Sequence, residues 1–221
     1  MSVEGPIRDG NTAGLELIET MRWEPVTGFR RIDRHMARME RSSQVLGLDF
    51  ARDAALEALH GAVGGETSLR VRLALGQDGA FAVTVQDFVE QAADAVWTLR
   101  VARTLIDSRY GLLRHKTTRR GFYEAARAEF PRKTADEVIL INERGEVCDG
   151  TITNVFVDDG GRVLLTPSLS CGLLPGVLRA EMLDQGKARE AILTRDDLYE
   201  AKAVYVGNSL RGMIRGRLPG A

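Results

Sequence analysis

The chain has 221 residues, 44% of them hydrophobic and 28% charged, enough for one large domain or two smaller ones with their own cores. Thirty Lys and Arg stand against thirty-one Asp and Glu, so a net charge of −1 offers no overall basic field for nucleic acid. Cys148 and Cys171 form no CxxC pair, the three histidines make no HxH or HExxH pattern, and no apolar run reaches a membrane span; a metal centre and a membrane protein are not expected.

Residues 1–13 are polar and read as a loose surface segment. Leu15, Leu17 and Met21 mark a strand over 15–23, ended by a turn at Pro25 and Gly28. Asp33 is the expected N-cap of a helix running to Leu46, with Ile32, Met36, Met39 and Leu46 on its apolar side and Gly47 closing it. A second helix is expected over 50–62, with Ala54, Ala58 and Leu59 inward. Val71, Leu73 and Leu75 alternate into a hairpin that turns at 76–79 and returns through Phe81, Val83 and Val85. Trp97, Leu99 and Val101 form another strand, whereas 105–113 has no clean period. The expected division is therefore a small N-terminal α/β domain over 1–104, an interdomain loop over 105–112 and a larger C-terminal domain over 113–221.

The second half opens on a strand carrying Lys116. A helix over 122–130 is stopped by Pro131, and 137–142 is a buried strand that turns back at 143–146. A hairpin spans 154–157 and 162–165, Pro175-Gly176 leads into a helix over 177–185, and strands follow at 191–193 and 203–206 around a capped turn of helix at Thr194. Helices mixed with tight hairpins argue for an α+β fold.

Lys116 and Asp149 stand on neighbouring β-structure separated by one helix. This is the layout of an enzyme that fixes an aldehyde cofactor through a lysine and keeps the cofactor's ring nitrogen protonated with an acid. Taken by position alone, Lys116 also reads as a surface lysine in a basic run, and Asp149 as part of an Asp-Gly turn. Alternation puts Asp149 on the inward face with Val147, where an acid needs a charged partner or a proton. The helix start at Gly176-Val177-Leu178 is a ready phosphate site, and Asn208 and Ser209 supply amide and hydroxyl donors or a plain turn. Arg38 lies off the apolar face of the first helix, as a phosphate clamp or a solvated residue. Arg22, Arg109 and Arg211 are candidate carboxylate binders, since arginine offers a two-toothed fork, or surface residues.

Taken together, Glu19-Thr20-Met21-Arg22, Arg34-His35-Met36-Ala37-Arg38-Met39, Lys116, Asp149-Gly150-Thr151-Ile152-Thr153-Asn154-Val155-Phe156, Leu174-Pro175-Gly176-Val177 and Asn208-Ser209-Leu210-Arg211-Gly212 resemble the class IV aminotransferases, in order and in spacing. The resemblance implies a two-domain fold of type IV, like that of D-amino-acid aminotransferase, with pyridoxal 5'-phosphate in the C-terminal domain. It implies that Lys116 forms the imine with the cofactor and shuttles protons. Arg38, the backbone amides of Val177 and Leu178, and Asn208 with Ser209 would hold the phosphate. Asp149 falls where the family usually has a glutamate on the pyridine nitrogen, and Gly121 falls where branched-chain aminotransferases have a tyrosine. The extra N-terminal strand usual in the family has no match ahead of Leu15.

Thr20 and the Asn208–Gly212 stretch resemble the 4-amino-4-deoxychorismate lyases, which make 4-aminobenzoate and pyruvate for folate synthesis. In that branch Thr20 would help pass a proton to the substrate. The alternatives are an amino-acid transaminase on the same fold and a non-catalytic relative. The resemblance further implies a homodimer acting on a small amino or carboxylate substrate. With no signal peptide read at its start, the chain is expected in a reducing cytoplasm.

Overall fold

A computed structural model describes residues 14–220. The polar segment expected at 1–13 lies outside the described residues. The described chain divides into two compact units: residues 14–90 with His115–Arg119, and Gln91–Arg114 with 120–220.

The first unit is a four-stranded antiparallel sheet carrying two helices. In chain order it has β1 (Leu17–Glu24), β2 (Gly28–Phe29), α1 (Ile32–Leu46), α2 (Arg52–Gly61), β3 (Leu69–Leu75) and β4 (Phe81–Asp87), and the sheet order is β2-β1-β3-β4. Alternation along β1 and β3 turns Leu17, Met21, Val71, Leu73 and Leu75 toward Met36, Met39, Ala55 and Leu59 of the helices, and these residues form one core. The start of α1 differs from expectation. Its N-cap is Arg31, held in the left-handed region at φ 58°, and Asp33 sits inside the first turn, where its charge favours the helix dipole. Gly47 closes α1 in the left-handed conformation, donating its N–H to the Ser43 carbonyl. On α2 the inward alanine is Ala55 rather than Ala54: Ala55 and Leu59, four residues apart, share the buried face, and Ala54 is exposed.

The second unit contains β5 (Val96–Ile106), α3 (Gly121–Ala128), β6 (Glu137–Asn142), β7 (Val147–Gly150), β8 (Asn154–Asp158), β9 (Leu164–Pro167), α4 (Val177–Asp184), β10 (Ala188–Ala191), α5 (Arg195–Glu200), β11 (Ala203–Asn208) and β12 (Gly212–Arg217). Its eight strands run in the order β10-β9-β8-β11-β12-β5-β6-β7. The sheet curls until its ends meet: Val147 N–H donates to the Leu193 carbonyl at 2.7 Å, and Glu146 bridges Thr194. Leu99, Ile139, Val147, Val155 and Val206 fill one face. Val138, Leu140 and Cys148 pack on the other with Ala126 of α3. Burial on both faces explains why β6 reads as an unbroken apolar run.

Three expectations are corrected. The segment expected as an interdomain loop begins inside a strand, since β5 reaches Ile106 and pairs with both β12 and β6. A register shift between Val101 and Leu105 breaks its alternation and hides that continuation. The strand expected at 191–193 lies at β10, four residues paired in parallel with β9 and masked in sequence by Arg189 and Glu190. Lys116 stands on no full strand. Its segment pairs with β1 of the first unit by one bridge, Leu17 with Thr117, supported by Ile18 N–H to the Lys116 carbonyl at 2.8 Å.

Cys148 and Cys171 are free and buried. Among the described residues, no helix is long and apolar enough to cross a membrane. Met36 is fully buried between α1 and the sheet, so Met36→Ala is expected to destabilise the protein by about 2–5 kcal/mol. Urea unfolding measures that loss.

Candidate functional site

In the first unit, β1 places an acid where periodicity asks for an apolar residue. Glu19 shares the core-facing side of the strand with Leu17 and Met21 and is 1% exposed. His35 and Arg38, three residues apart on α1, meet it from the facing helix. Arg38 Nε donates to Glu19 Oε1 at 2.8 Å and Nη2 donates to Oε2 at 2.6 Å. His35 Nδ1 lies 2.6 Å from the same Oε2. Burial alone would raise the Glu19 carboxyl, but Arg38 and His35 outweigh it and hold the group at about 2 instead of 4.5. An ionised carboxylate only accepts, so the shared proton sits on His35 Nδ1. Burial keeps the His35 ring below its ordinary 6.5 despite Glu19.

Lys116 belongs to the same corner of this unit. It is half-buried, its charge reaches His35, and its neighbour His115 places Nδ1 3.0 Å from Ser42 Oγ of α1. Thr20 is half-buried on β1 opposite Arg72. The first unit thus gathers Lys116, Arg38 and two residues the sequence reading passed over as site residues, Glu19 and His35. The signal for Glu19 was present: an acid two residues from Leu17 and two from Met21.

In the second unit, Asp149 ends up buried on β7. Oδ1 accepts from Asn154 Nδ2 at 2.8 Å and Oδ2 from the Leu174 N–H at 3.2 Å. Burial drives its carboxyl well above 3.8; the two hydrogen bonds and the charge of Arg179 oppose that shift without cancelling it. The same Asn154 amide donates to the Leu174 carbonyl at 3.0 Å, and its other side abuts Gly176. A Cβ on Gly176 would stand 1.7 Å from Asn154 Oδ1, so glycine is required there by contact. Gly176 caps α4 without a side-chain bond, leaving the Val177 and Leu178 N–H groups at an undecorated helix start. Leu178 lies beside Gly207, whose Cβ would meet it at 2.9 Å, and Asn208 follows directly. Asn208 Nδ2 donates to the Ile152 carbonyl at 3.1 Å, while Oδ1 accepts from the Leu210 and Arg211 N–H groups. Ser209 is buried next to it. Asp149, Asn154, the start of α4 and the Asn208 turn are therefore one connected patch.

The loop that links Asp149 to Asn154 is organised by Glu137, also missed in sequence. Its buried carboxylate accepts from the N–H groups of Val138, Thr151 and Ile152 and from the hydroxyls of Thr151 and Thr153, at 2.5–3.1 Å. A Cβ on Gly150 would collide with it at 2.8 Å.

The sequence matches the family described as Amino-transferase class IV over residues 16–218. The chain belongs to the class IV aminotransferases. It is 31% identical over 192 residues to the "Putative aminodeoxychorismate lyase" of Schizosaccharomyces pombe, covering 83% of this chain and 82% of that one. It is 56% identical to a "Putative amino-acid aminotransferase" from Mesorhizobium loti whose crystal structure superposes with a TM-score of 0.90, over 92% of this chain and 99% of that one. A T.th. branched-chain amino acid aminotransferase, complexed with N-(5'-phosphopyridoxyl)-L-glutamate, shares the fold at 20% identity and a TM-score of 0.77, over 93% of this chain and 76% of that one.

The three candidate carboxylate-binding arginines of this class IV aminotransferase have different surroundings. Arg22 is nearly buried and already engaged, pairing with Glu24 at 2.9 Å and Glu90 at 2.8 Å above the Phe88 ring. Arg109 is exposed and pairs with Asp107, two residues away. Arg211 is exposed, 5.9 Å from the Trp97 ring.

Two outcomes are expected of the class IV aminotransferase chain. A carboxyl whose folded value is depressed stabilises the fold above its unfolded value and loses that contribution as pH falls through the folded one. For Glu19 the window is 4.5 down to about 2, and the shift corresponds to roughly 3 kcal/mol. His35 acts in the same direction below 6.5, because the unfolded ring binds its proton more readily. Urea titrations across that range should show acid lability in the native protein and a weaker slope in Glu19→Gln. At neutral pH that variant should already be about 3–5 kcal/mol less stable, since Arg38 is left buried without its carboxylate. Separately, Gly176→Ala should lower stability by about 1–3 kcal/mol by displacing Asn154 from Asp149, again read by urea unfolding.

Proposed function

We propose that this chain binds pyridoxal 5'-phosphate and acts as a 4-amino-4-deoxychorismate lyase, releasing pyruvate and leaving 4-aminobenzoate. The observation that carries the cofactor reading is Asp149. A buried carboxyl driven upward by desolvation is stabilised by a cation beside it, and a protonated pyridine nitrogen is such a cation. The uncapped start of α4, joined to Asp149 through Asn154 and Gly176, fits a phosphate. These residues fit the group. When bound, pyridoxal phosphate supplies an electron sink for the substrate's α-carbon.

The remaining roles belong to the chain. Lys116 would hold the cofactor through Nζ, and the same amine would take and return the substrate's α-proton. Arg38, oriented through Nε and Nη2 by Glu19, would be one phosphate ligand of this reading, and the Val177 and Leu178 N–H groups, Asn208 and Ser209 the others. Asp149 keeps the proton on the ring nitrogen. The Thr20 hydroxyl passes a proton to the substrate. Arg109 and Arg211 are the exposed candidates for a substrate carboxylate, although Arg109 already pairs with Asp107; Arg22 is nearly buried against Glu24 and Glu90.

Similarity to the Schizosaccharomyces pombe relative and the threonine at position 20 support the lyase reading. The similarity to the Mesorhizobium loti protein favours a second reading, an amino-acid transaminase. A homodimer is part of either reading, tested by light scattering.

Purified protein with pyridoxal phosphate is expected to release 4-aminobenzoate and pyruvate from aminodeoxychorismate. Amino transfer from glutamate or leucine to a keto acid, with no 4-aminobenzoate, would reject the lyase in favour of the transaminase. Lys116→Ala is expected to lose the visible absorption band that the native protein gains on adding cofactor, and at least a thousandfold of activity.

A further inference from the structure

The basic run after Lys116 ends in Arg120, which has no place in the chemistry above. In the second unit Arg120 lines an open groove of about 440 Å3 with Arg127, Arg132, Tyr123, Phe130 and Ile152. That volume suits a small ring-bearing molecule. Its walls are Tyr123, Phe130 and the side chain of Ile152, an isoleucine left 49% exposed.

The polar groups of the groove favour an anion. Arg120, Arg127 and Arg132 line it with Glu124 and Asp136, which leaves one positive charge in excess; Asp136 also accepts the Thr98 N–H at 2.7 Å. Arg127 donates through Nη2 to the Ala135 carbonyl at 2.6 Å, and its Nη1 is enclosed by the protein, so it brings a fixed positive charge to the groove wall, whereas Arg132 is exposed on it. A fixed guanidinium charge beside an exposed arginine fork favours a carboxylate.

The groove also adjoins the Asp149 patch. Thr151 and Ile152 belong to the loop that Glu137 organises two residues beyond Asp149. Arg120 donates to the Thr151 carbonyl at 2.6 Å and lies over the Tyr123 ring at 4.8 Å. The charge of Asp149 in turn reaches Tyr123.

We propose that this groove is a carboxylate subsite that takes the ring-borne acid group of the substrate, with Arg132 as its anion donor, Arg127 as a fixed positive charge behind it, and Tyr123, Phe130 and Ile152 as the ring's walls. The proposal rests on the lyase reading for the identity of the ring acid. The anion site itself stands on the groove alone.

The test is calorimetric titration of the cofactor-loaded protein with benzoate and with its neutral analogue benzamide. Benzoate is expected to bind, at least tenfold more tightly than benzamide. Arg127→Gln and Arg132→Gln should each weaken benzoate about three- to tenfold and leave circular dichroism unchanged. Arg127→Lys, which keeps the charge, should recover part of the loss and separates anion binding from a packing defect at Ala135. Equal binding of benzoate and benzamide, or benzoate affinity unmoved in both glutamine variants, would overturn the subsite. The lyase reading is scored apart from this, by 4-aminobenzoate release from the native protein. Benzoate binding without that release keeps the subsite and rejects the lyase; release with no benzoate site does the reverse. If both hold, the KM for aminodeoxychorismate should rise in Arg132→Gln with kcat little changed.

Discussion

Taking a carboxylate out of water costs several kcal/mol unless donors or cations meet its oxygens, and this class IV aminotransferase does so at three positions by three different means. Glu19 is matched by charge, with a guanidinium on both oxygens and an imidazole on one. Glu137 is matched by number, with five uncharged donors drawn from its own neighbour and the 151–153 loop. Asp149 receives one amide and one backbone N–H, too little to offset its burial. The first two acids are structural anchors. The third is left under-compensated, and its carboxyl therefore holds a proton more readily than an ordinary aspartate.

The anchors explain how the flexible parts of each candidate patch are kept in place. Arg38 is a long side chain with about 2 kcal/mol of rotamer freedom to lose, and Glu19 removes that freedom before any ligand arrives. The loop after Asp149 has no ladder of its own to hold it, and Glu137 takes the place of one. Gly150 and Gly176 are then glycines for the same reason: each lets a polar group, Glu137 or Asn154, come within reach of its partners.

Much of this was legible from residue order. Period-2 patterns located β1, β3 and β4, the uninterrupted apolar run located β6, and the Thr194–Asp197 capping box marked the start of α5 as expected. The motifs around Arg38, Lys116, Asp149 and Gly176 pointed to the family that the chain belongs to. What stayed hidden depended on pairing at long range. The shift inside β5 erased its alternation, so a continuous strand looked like a boundary. Lys116 looked like the start of a strand in the second half, although its backbone pairs with β1. Glu19 and Glu137 were overlooked because an acid at the edge of an apolar pattern reads as solvated until its partners, sixteen to nineteen positions away for Glu19, are seen beside it.

The meeting of Val147 with Leu193 bears on how the protein behaves when crowded with copies of itself. A sheet whose last strand is stitched to the chain beyond its first has little free backbone there for another molecule's strand to zip onto. Self-templated growth into fibres is thereby discouraged at the margin of the larger sheet, and the apolar residues of β6 stay shielded behind it.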